Sequence, residues 1–443
     1  MRISRSLIAG ALLPALCALP PAPALAGPAG RVLTMEQAVE EALARNAALH
    51  GRRAESTADH EEARSARGRL LPSLSITALY ADLGSPEQAN LGGLLATGAT
   101  GSAPVRNVWI GAGLATASQP LLGLLHASQD YAAASRLADA SEAEVRAAES
   151  ELREQVESSY LSLFEERTVR DIARASADAL RAQLRSTQAK LDEGAATRAD
   201  VLRVRVAVAN ADQERIEAEV RERVARASLL TLVGLAPDTP DVDFAEPADD
   251  SAGAVLVRSE ETEAFALGHR SEVRAAVERE AAAHHSRVAA ELRLLPELNA
   301  TAAYVRLQGL SSGIPPDFFA FGLNLDWKVW DFGATYYASR AAGGREEAAA
   351  AALDGVRSRV ALDVVRSREE TRAAEHALSV ARDAIDQAEE AFRVTAELLG
   401  SGAATTTDLL DAQSSLSRAK LNLVRARYGV ERARSALRRA LGA

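Results

Sequence analysis

The chain has 443 residues, 47% of them hydrophobic and 25% charged, but only 4% aromatic, with one Cys and a formal net charge of −10. Apolar content drawn from Ala, Leu and Val is the palette of long close-packed helices, whereas thick enzyme cores use aromatics to supply buried area. The acidic balance argues against nucleic acid, which needs a basic face, and a single Cys excludes both a disulfide scaffold and a cysteine-ligated zinc site.

Residues 1–26 read as a secretory signal peptide, with Arg2 and Arg5 as the basic start, Leu7 to Leu19 as the apolar stretch and Ala24-Leu25-Ala26 as the cleavage site. The rival reading, lipidation at Cys17, is disfavoured by the bulky Leu16 before it. No later stretch holds 18 consecutive apolar residues, so no membrane helix is expected after the signal.

The first repeat then spans 27–234. Thr34 followed by Gln37 is a capping box opening a helix that runs to about Arg69, and Pro72 ends it. Two strands are predicted over 73–83 and 105–119, separated by a loop at 84–104. A long helix follows over 127–191, Gly194 breaks it, and another helix covers 198–233. A Pro/Asp-rich linker at 235–255 leads to a second copy of this plan over 256–443. Its helices are predicted at 259–294, 338–398 and 405–441, and its strands at 298–308 and 318–330.

The duplication is visible in the residues. Leu71-Pro72-Ser73-Leu74 recurs as Leu295-Pro296-Glu297-Leu298, an offset of 224, and Ala42-Leu43 recurs as Ala266-Leu267. Gly194-Ala195-Ala196-Thr197 with Asp200 recurs as Gly402-Ala403-Ala404-Thr405 with Asp408, an offset of 208. Gly234 likewise matches Gly442, and the offset shrinks because the first copy holds the longer loop between its strands. Collinear matches at both ends of each half mark an internal repeat.

The lengths are complementary. A helix of about 60 residues spans about 90 Å, which two shorter helices stacked in line roughly match. The predicted packing is therefore a tall wall and not a globule. In the last helix Leu409, Leu416, Leu423, Val430 and Leu437 recur every seven residues, with Ala412, Ala419, Ala426, Ala433 and Ala440 three after each. This is a heptad seam that lets backbones approach closely.

The strands decide the class. Phe319, Phe321, Leu323, Leu325, Trp327 and Val329 alternate with Ala320, Gly322, Asn324, Asp326 and Lys328, over about the length of a tilted membrane strand. Leu74, Ile76, Ala78 and Tyr80 share a face more weakly, as do Val108, Ile110, Ala112 and Leu114, with Trp109 on the other side. Tyr80, Trp109, Tyr304, Phe319 and Trp327 lie near strand ends, where interfacial aromatics belong. The alternative for any one strand is a soluble sheet packed on helices; four together on an exported chain favour lipid. Four strands cannot close a pore, and an open edge is not tolerated in hydrocarbon, so a shared barrel is expected. Two copies would supply eight strands, which side chains plug, and three would supply twelve, wide enough for water. A trimer or larger is preferred.

This combination resembles the TolC-like outer-membrane efflux family. The resemblance rests on Leu33-Thr34-Met35-Glu36-Gln37-Ala38 with Ala42-Leu43, on both Leu-Leu-Pro boundaries, and on the run Gly402-Ala403-Ala404-Thr405-Thr406-Thr407-Asp408-Leu409-Leu410-Asp411-Ala412-Gln413. That run is similar to the family's Gly-x-x-Thr-x-x-Asp-Leu/Val-Leu-Asp-Ala signature; the first copy departs from it at Arg203 and Val204. The resemblance implies a mostly α-helical, homotrimeric coiled-coil tunnel joined to a twelve-stranded β-barrel in outer-membrane lipid. A periplasmic adaptor and an inner-membrane pump of the RND, MFS or ABC type would dock at its closed end. The adaptor-docking tips implied are Gly194, Ala195 and Thr197, and Gly402, Ala403 and Thr405. Asp408 and Asp411, three apart on one helical face, would ring the periplasmic gate, and Phe319, Phe321, Leu323, Leu325 and Trp327 would face the membrane. Ala404 stands where the family often has an arginine or other gate-bonding residue.

No phosphate loop, nucleophile elbow or His-Glu-x-x-His pattern occurs, and the adjacent His284 and His285 point about 100° apart on a helix, so neither catalysis nor a resident cofactor or metal is expected. The expected function is a passive exit duct. Its rival is a periplasmic coiled-coil adaptor or spacer whose strands form a soluble sheet.

Overall fold

The computed structural model describes residues 31–82, 89–90, 102–103, 109–247, 262–308 and 317–442. The expected signal peptide with Cys17, most of the 84–104 loop, Val108 and residues 248–261 lie outside them.

The first repeat opens with a short strand, β1 (Arg31–Leu33), and then with two helices where one was predicted: α1 (Met35–Arg45) and α2 (Ala47–Gly68). The capping box at Thr34 is made in both directions. At Asn46 the backbone turns extended, with ψ 121°, and its side chain accepts the Ala48 and Leu49 amides at 3.0 and 3.1 Å. An amide that competes for backbone groups ends one helix and caps the next. The same break falls 224 residues later at Arg270, ψ 125°, between α5 (Thr262–His269) and α6 (Ser271–Leu292).

Between these lie β2 (Ser73–Asp82), a two-residue hairpin β3 (Ala89–Asn90) and β4 (Ser102–Ala103), and β5 (Trp109–Pro120). Then come α3 (Gly123–Asp192), α4 (Arg198–Val233) and β6 (Val242–Phe244). The second repeat continues with β7 (Glu297–Gln308), β8 (Asp317–Asp326), α7 (Ala334–Gly400) and α8 (Thr406–Leu441). The long helices start four residues earlier than predicted. β8 stops at Asp326, so Trp327 to Trp330 lie beyond the strand, because β7 ends its pairing at Glu297 opposite Asp326 and the other edge of β8 is free. The chain then turns at Phe332, φ 56°, where the Asp331 carboxylate accepts the Gly333 and Thr335 amides at 3.0 and 2.9 Å.

The four long strands form one antiparallel sheet in the order β2-β5-β7-β8. Beneath it α2, α3, α6 and α7 stand side by side, and further down α4, α3, α8 and α7 do the same. The long helices α3 and α7 thus run the full height, and the shorter ones stack in line beside them. The stacking is close. A Cβ added at Gly234 would come within 2.9 Å of Arg45, and one at Gly442 within 3.3 Å of the equivalent His269–Arg270 junction.

The largest core lies midway, where the short helices meet. Leu33, Val39, Val156, Leu163, Leu229, Leu230 and Phe244 pack there around Tyr160. Part of this knot was not foreseen: β6 lies inside the 235–255 linker and pairs in parallel with β1, Arg31 opposite Val242 and Leu33 opposite Phe244. Strands of three residues are too short to show alternation. The buried Tyr160 hydroxyl sits 3.1 Å from the Leu33 carbonyl and against that of Ala245, and Arg167 bridges to Asp243 at 2.5 Å.

Candidate functional site

At the lower end each helical hairpin turns in the same way. After α3, Gly194 takes φ 78° and the amides of Ala195 and Ala196 donate to the Lys190 carbonyl at 2.7 and 3.1 Å. After α7, Gly402 takes φ 78° and the amides of Ala403 and Ala404 donate to Leu398 at 2.8 and 3.2 Å. These bonds satisfy the last carbonyls of each helix through a left-handed residue. Beyond the glycine and its chain neighbours, no atom of the described residues lies within 4 Å of where a Cβ would stand at Gly194 or Gly402, so both turns present bare backbone.

Each turn then enters a capping box. Thr197 donates its amide and hydroxyl to Asp200 Oδ2 at 3.0 and 2.6 Å; Thr405 does the same to Asp408 Oδ2 at 2.8 and 2.7 Å. The structure therefore gives Asp408 a local partner that the sequence reading, treating it as a free carboxylate, missed. The Thr-x-x-Asp spacing was the signal that could have revealed it. The Thr405 amide and hydroxyl hold the Asp408 carboxyl below the usual carboxylate range, and the Thr197 hydroxyl does so for Asp200. The hairpins differ one turn further in. Arg203 stands 3.3 Å from Asp200, whereas Asp411 occupies the equivalent position, exposed and with no hydrogen bond or ion pair among the described residues. Only the second hairpin thus carries carboxylates at both of these two positions, three apart on the helix after the turn.

At the upper end the ladder sorts the sheet into two faces. Leu74, Ile76 and Tyr80 pair with Ala117, Ala115 and Gly111 of β5, and these with Ala302, Tyr304 and Gln308 of β7. Ala302 and Tyr304 in turn pair with Phe321 and Phe319 of β8, whose face also carries Leu323 and Leu325. This face is bare: Ile76 is 78% exposed and Phe321 81%, with Phe319, Leu323, Leu325 and Trp327 also exposed. Tyr80 stacks near Trp109 at 6.1 Å and Tyr304 near Phe319 at 5.1 Å, both at one margin of the apolar band, while Trp327 lies at the other. One assignment is reversed. Ala112 and Leu114 pair with Leu79, Leu307 and Val305 on the opposite face, so β5 offers Trp109 and small residues to the bare side. Alternation identifies two faces but not which one joins its neighbours.

His284 and His285 bind different helices, Nδ1 lying 2.7 Å from Glu346 and 2.8 Å from Gln129 respectively. No group of metal-ligating side chains forms among the described residues, and no helix among them is long and apolar enough to cross a membrane.

A sheet with one bare apolar face and aromatic margins, set on paired helical hairpins far longer than a domain, defines a membrane-inserted tunnel protein. The family model for outer membrane efflux proteins matches residues 38–235 and 265–443, and the chain belongs to that family. Solved structures share the fold. The outer-membrane channel OprN matches with a TM-score of 0.81 at 19% identity over 92% of this chain and 89% of that one. VceC of Vibrio cholerae matches at 0.78 and 20% identity over 92% and 96%. The open state of the MtrE outer membrane channel of Neisseria gonorrhoeae matches at 0.78 and 19% over 92% and 88%. No curated protein sequence is similar enough to count as a match. The chain is thus an outer-membrane channel protein of the TolC-like kind, a transport duct, and the spacer reading is left without support.

Proposed function

We propose that three copies share one barrel and form a passive exit duct, opened at the lower end by a periplasmic adaptor that brings an inner-membrane pump. The observation that carries this reading is the uncovered apolar face running from Leu74 to Leu325 on a sheet with two free edges, which in water is a cost and in a bilayer is required. The turns at Gly194-Ala195-Ala196-Thr197 and Gly402-Ala403-Ala404-Thr405 serve as docking tips. Small residues and bare backbone there let a partner helix hairpin approach closely.

Asp408 and Asp411 form the gate. Three copies place six carboxylates around a narrow mouth, attracting cations and binding polyvalent ones most strongly. In a planar bilayer, the unaltered channel is expected to be blocked by a trivalent hexammine cation added on the periplasmic side. Asp411→Asn should weaken that block by about tenfold for about 1.4 kcal/mol of lost attraction, and Asp408→Asn with Asp411→Asn should abolish it. Block that persists unchanged in the double variant rejects the gate assignment.

A further inference from the structure

We infer that the bare face of the sheet carries a lipid site: a groove over β5 and β7 seats an acyl chain, and Arg306 at its upper end holds a phosphate of the same lipid, a phosphorylated glycolipid of the distal leaflet. This goes beyond the exit-duct reading and rests on one part of it, the placing of the sheet in a bilayer with the helices on the periplasmic side.

The ladder sets large side chains at the flanks of that face and small ones between them. Leu74 and Ile76 on β2 and Phe321 and Leu323 on β8 form two ridges three strands apart, about 14 Å. From Gly111 to Ala117 β5 turns only glycine and alanine to the bare side, and β7 adds Ala300 and Ala302. The result is a groove. Over Ala117, Ala300 and Ala302 it opens into a concavity of about 560 Å³, walled by Phe321 and Leu323, with Pro72 and Gln119 at its lower end. That volume is in the range of about 300–1,000 Å³ that small-molecule sites occupy.

The upper end supplies the charge. Arg306 stands on the same face four residues above Ala302, beside Gly113 on β5 and Asp317 on β8. Among the described strand residues it is the one cation on that face. It is exposed, and no hydrogen bond or ion pair holds it among the described residues; Asp317 lies across the rung without closing a pair, and Asp82 is two strands away. Its guanidinium therefore keeps a planar fork of donors for an outside anion, the geometry that binds phosphate bidentately. The glycine beside it leaves that flank open, since a Cβ at Gly113 would meet only the Arg306 Cβ, at 4.0 Å. Tyr80 with Trp109, and Tyr304 with Phe319, set rings on both sides of Arg306, a surface for the apolar faces of sugars. The dimensions agree. From Arg306 to Ala300 is six residues, about 20 Å, which in a strand tilted by about 40° covers about 15 Å of depth, half of a hydrocarbon core of about 30 Å. The chain joins the sheet to the helices at Ser73, Pro120, Glu297 and Asp326, so Arg306 lies at the far margin, where the distal leaflet presents phosphorylated sugars.

The test titrates the full chain, purified in detergent, with lipid A bearing both phosphates, with its dephosphorylated form and with phosphatidylglycerol, counting bound lipid by native mass spectrometry. Phosphorylated lipid A should bind about tenfold more tightly than either of the others, and Arg306→Gln should remove most of that preference while Arg306→Lys keeps part of it. Ala117→Trp fills the groove floor without touching the charge and should weaken binding of phosphorylated lipid A about tenfold. Equal binding of the phosphorylated and dephosphorylated forms, or binding unchanged in Arg306→Gln, overturns the phosphate contact. Phosphatidylglycerol binding as tightly as lipid A overturns the glycolipid as the occupant, and binding unchanged in Ala117→Trp overturns the groove. Each of these failures leaves a detergent-dependent channel protein and the exit-duct reading intact, whereas a chain that stays dissolved without detergent overturns the membrane placement itself.

Discussion

Asp408 serves two purposes with one side chain. Its Oδ2 caps α8 through Thr405, and the proposed gate assigns its charge to the lower mouth. Its depressed pKa means that the folded state favours the ionised form. That contribution is present above the ordinary Asp range and is lost only as pH falls through the lowered folded value. A carbon-13 carboxyl titration should therefore show Asp408 ionised to more acidic pH than a free Asp, and mild acid should leave the turn intact. Tyr160 gives the opposite sign. Burial pushes its hydroxyl up to about 12, so its contribution is complete below the ordinary tyrosine range and disappears as pH rises through about 12. Tyr160→Phe keeps the ring but takes the hydroxyl donor from the Ala245 carbonyl and leaves that of Leu33 with the Ala245 amide alone, and should cost about 1 kcal/mol, read as a lower urea midpoint with unchanged slope.

At the scale of the element, the lower turns are set by one glycine each. A Cβ at φ 78° costs about 1–2 kcal/mol in a left-handed residue even though the space around Gly194 and Gly402 is empty. Gly402→Ala should accordingly speed hydrogen exchange at the Ala403 and Ala404 amides about five- to thirtyfold while leaving the middle of α7 protected. These turns were legible beforehand because Gly-x-x-Thr-x-x-Asp encodes a stop and a start within seven residues. The breaks at Asn46 and Arg270 were not. Arg270 makes no side-chain cap and Asn46 is a lone capping residue inside a helical run, and both breaks sit where a helix of the same repeat abuts, Gly234 on Arg45 and Gly442 on His269.

The whole molecule is held at its waist. Leu163 is fully buried in the core that joins β1, α1, α3, α4 and β6, so Leu163→Ala should cost about 2–5 kcal/mol and lower the yield of folded chain, measured by denaturant titration in detergent. Above and below the waist the single chain is a curtain with two raw edges. The apolar surface left uncovered includes the aliphatic band from Leu74 to Leu325 and the valines on α4 and α7, beside free strand edges. That distribution suits a protomer that folds first and associates afterwards.

The sequence alone determined the duplication, the hairpin turns, the alternating band of β8 and the tall helical plan, because each is written in near-neighbour spacing: a capping box, a heptad, a period of two. Only the tertiary structure decided which face of β5 joins that band and that the linker closes a parallel pair with the first strand over Tyr160. Those outcomes depend on residues far apart in the chain meeting across a ladder or a core. Local periodicity carries no information about which distant surface will be there to meet them.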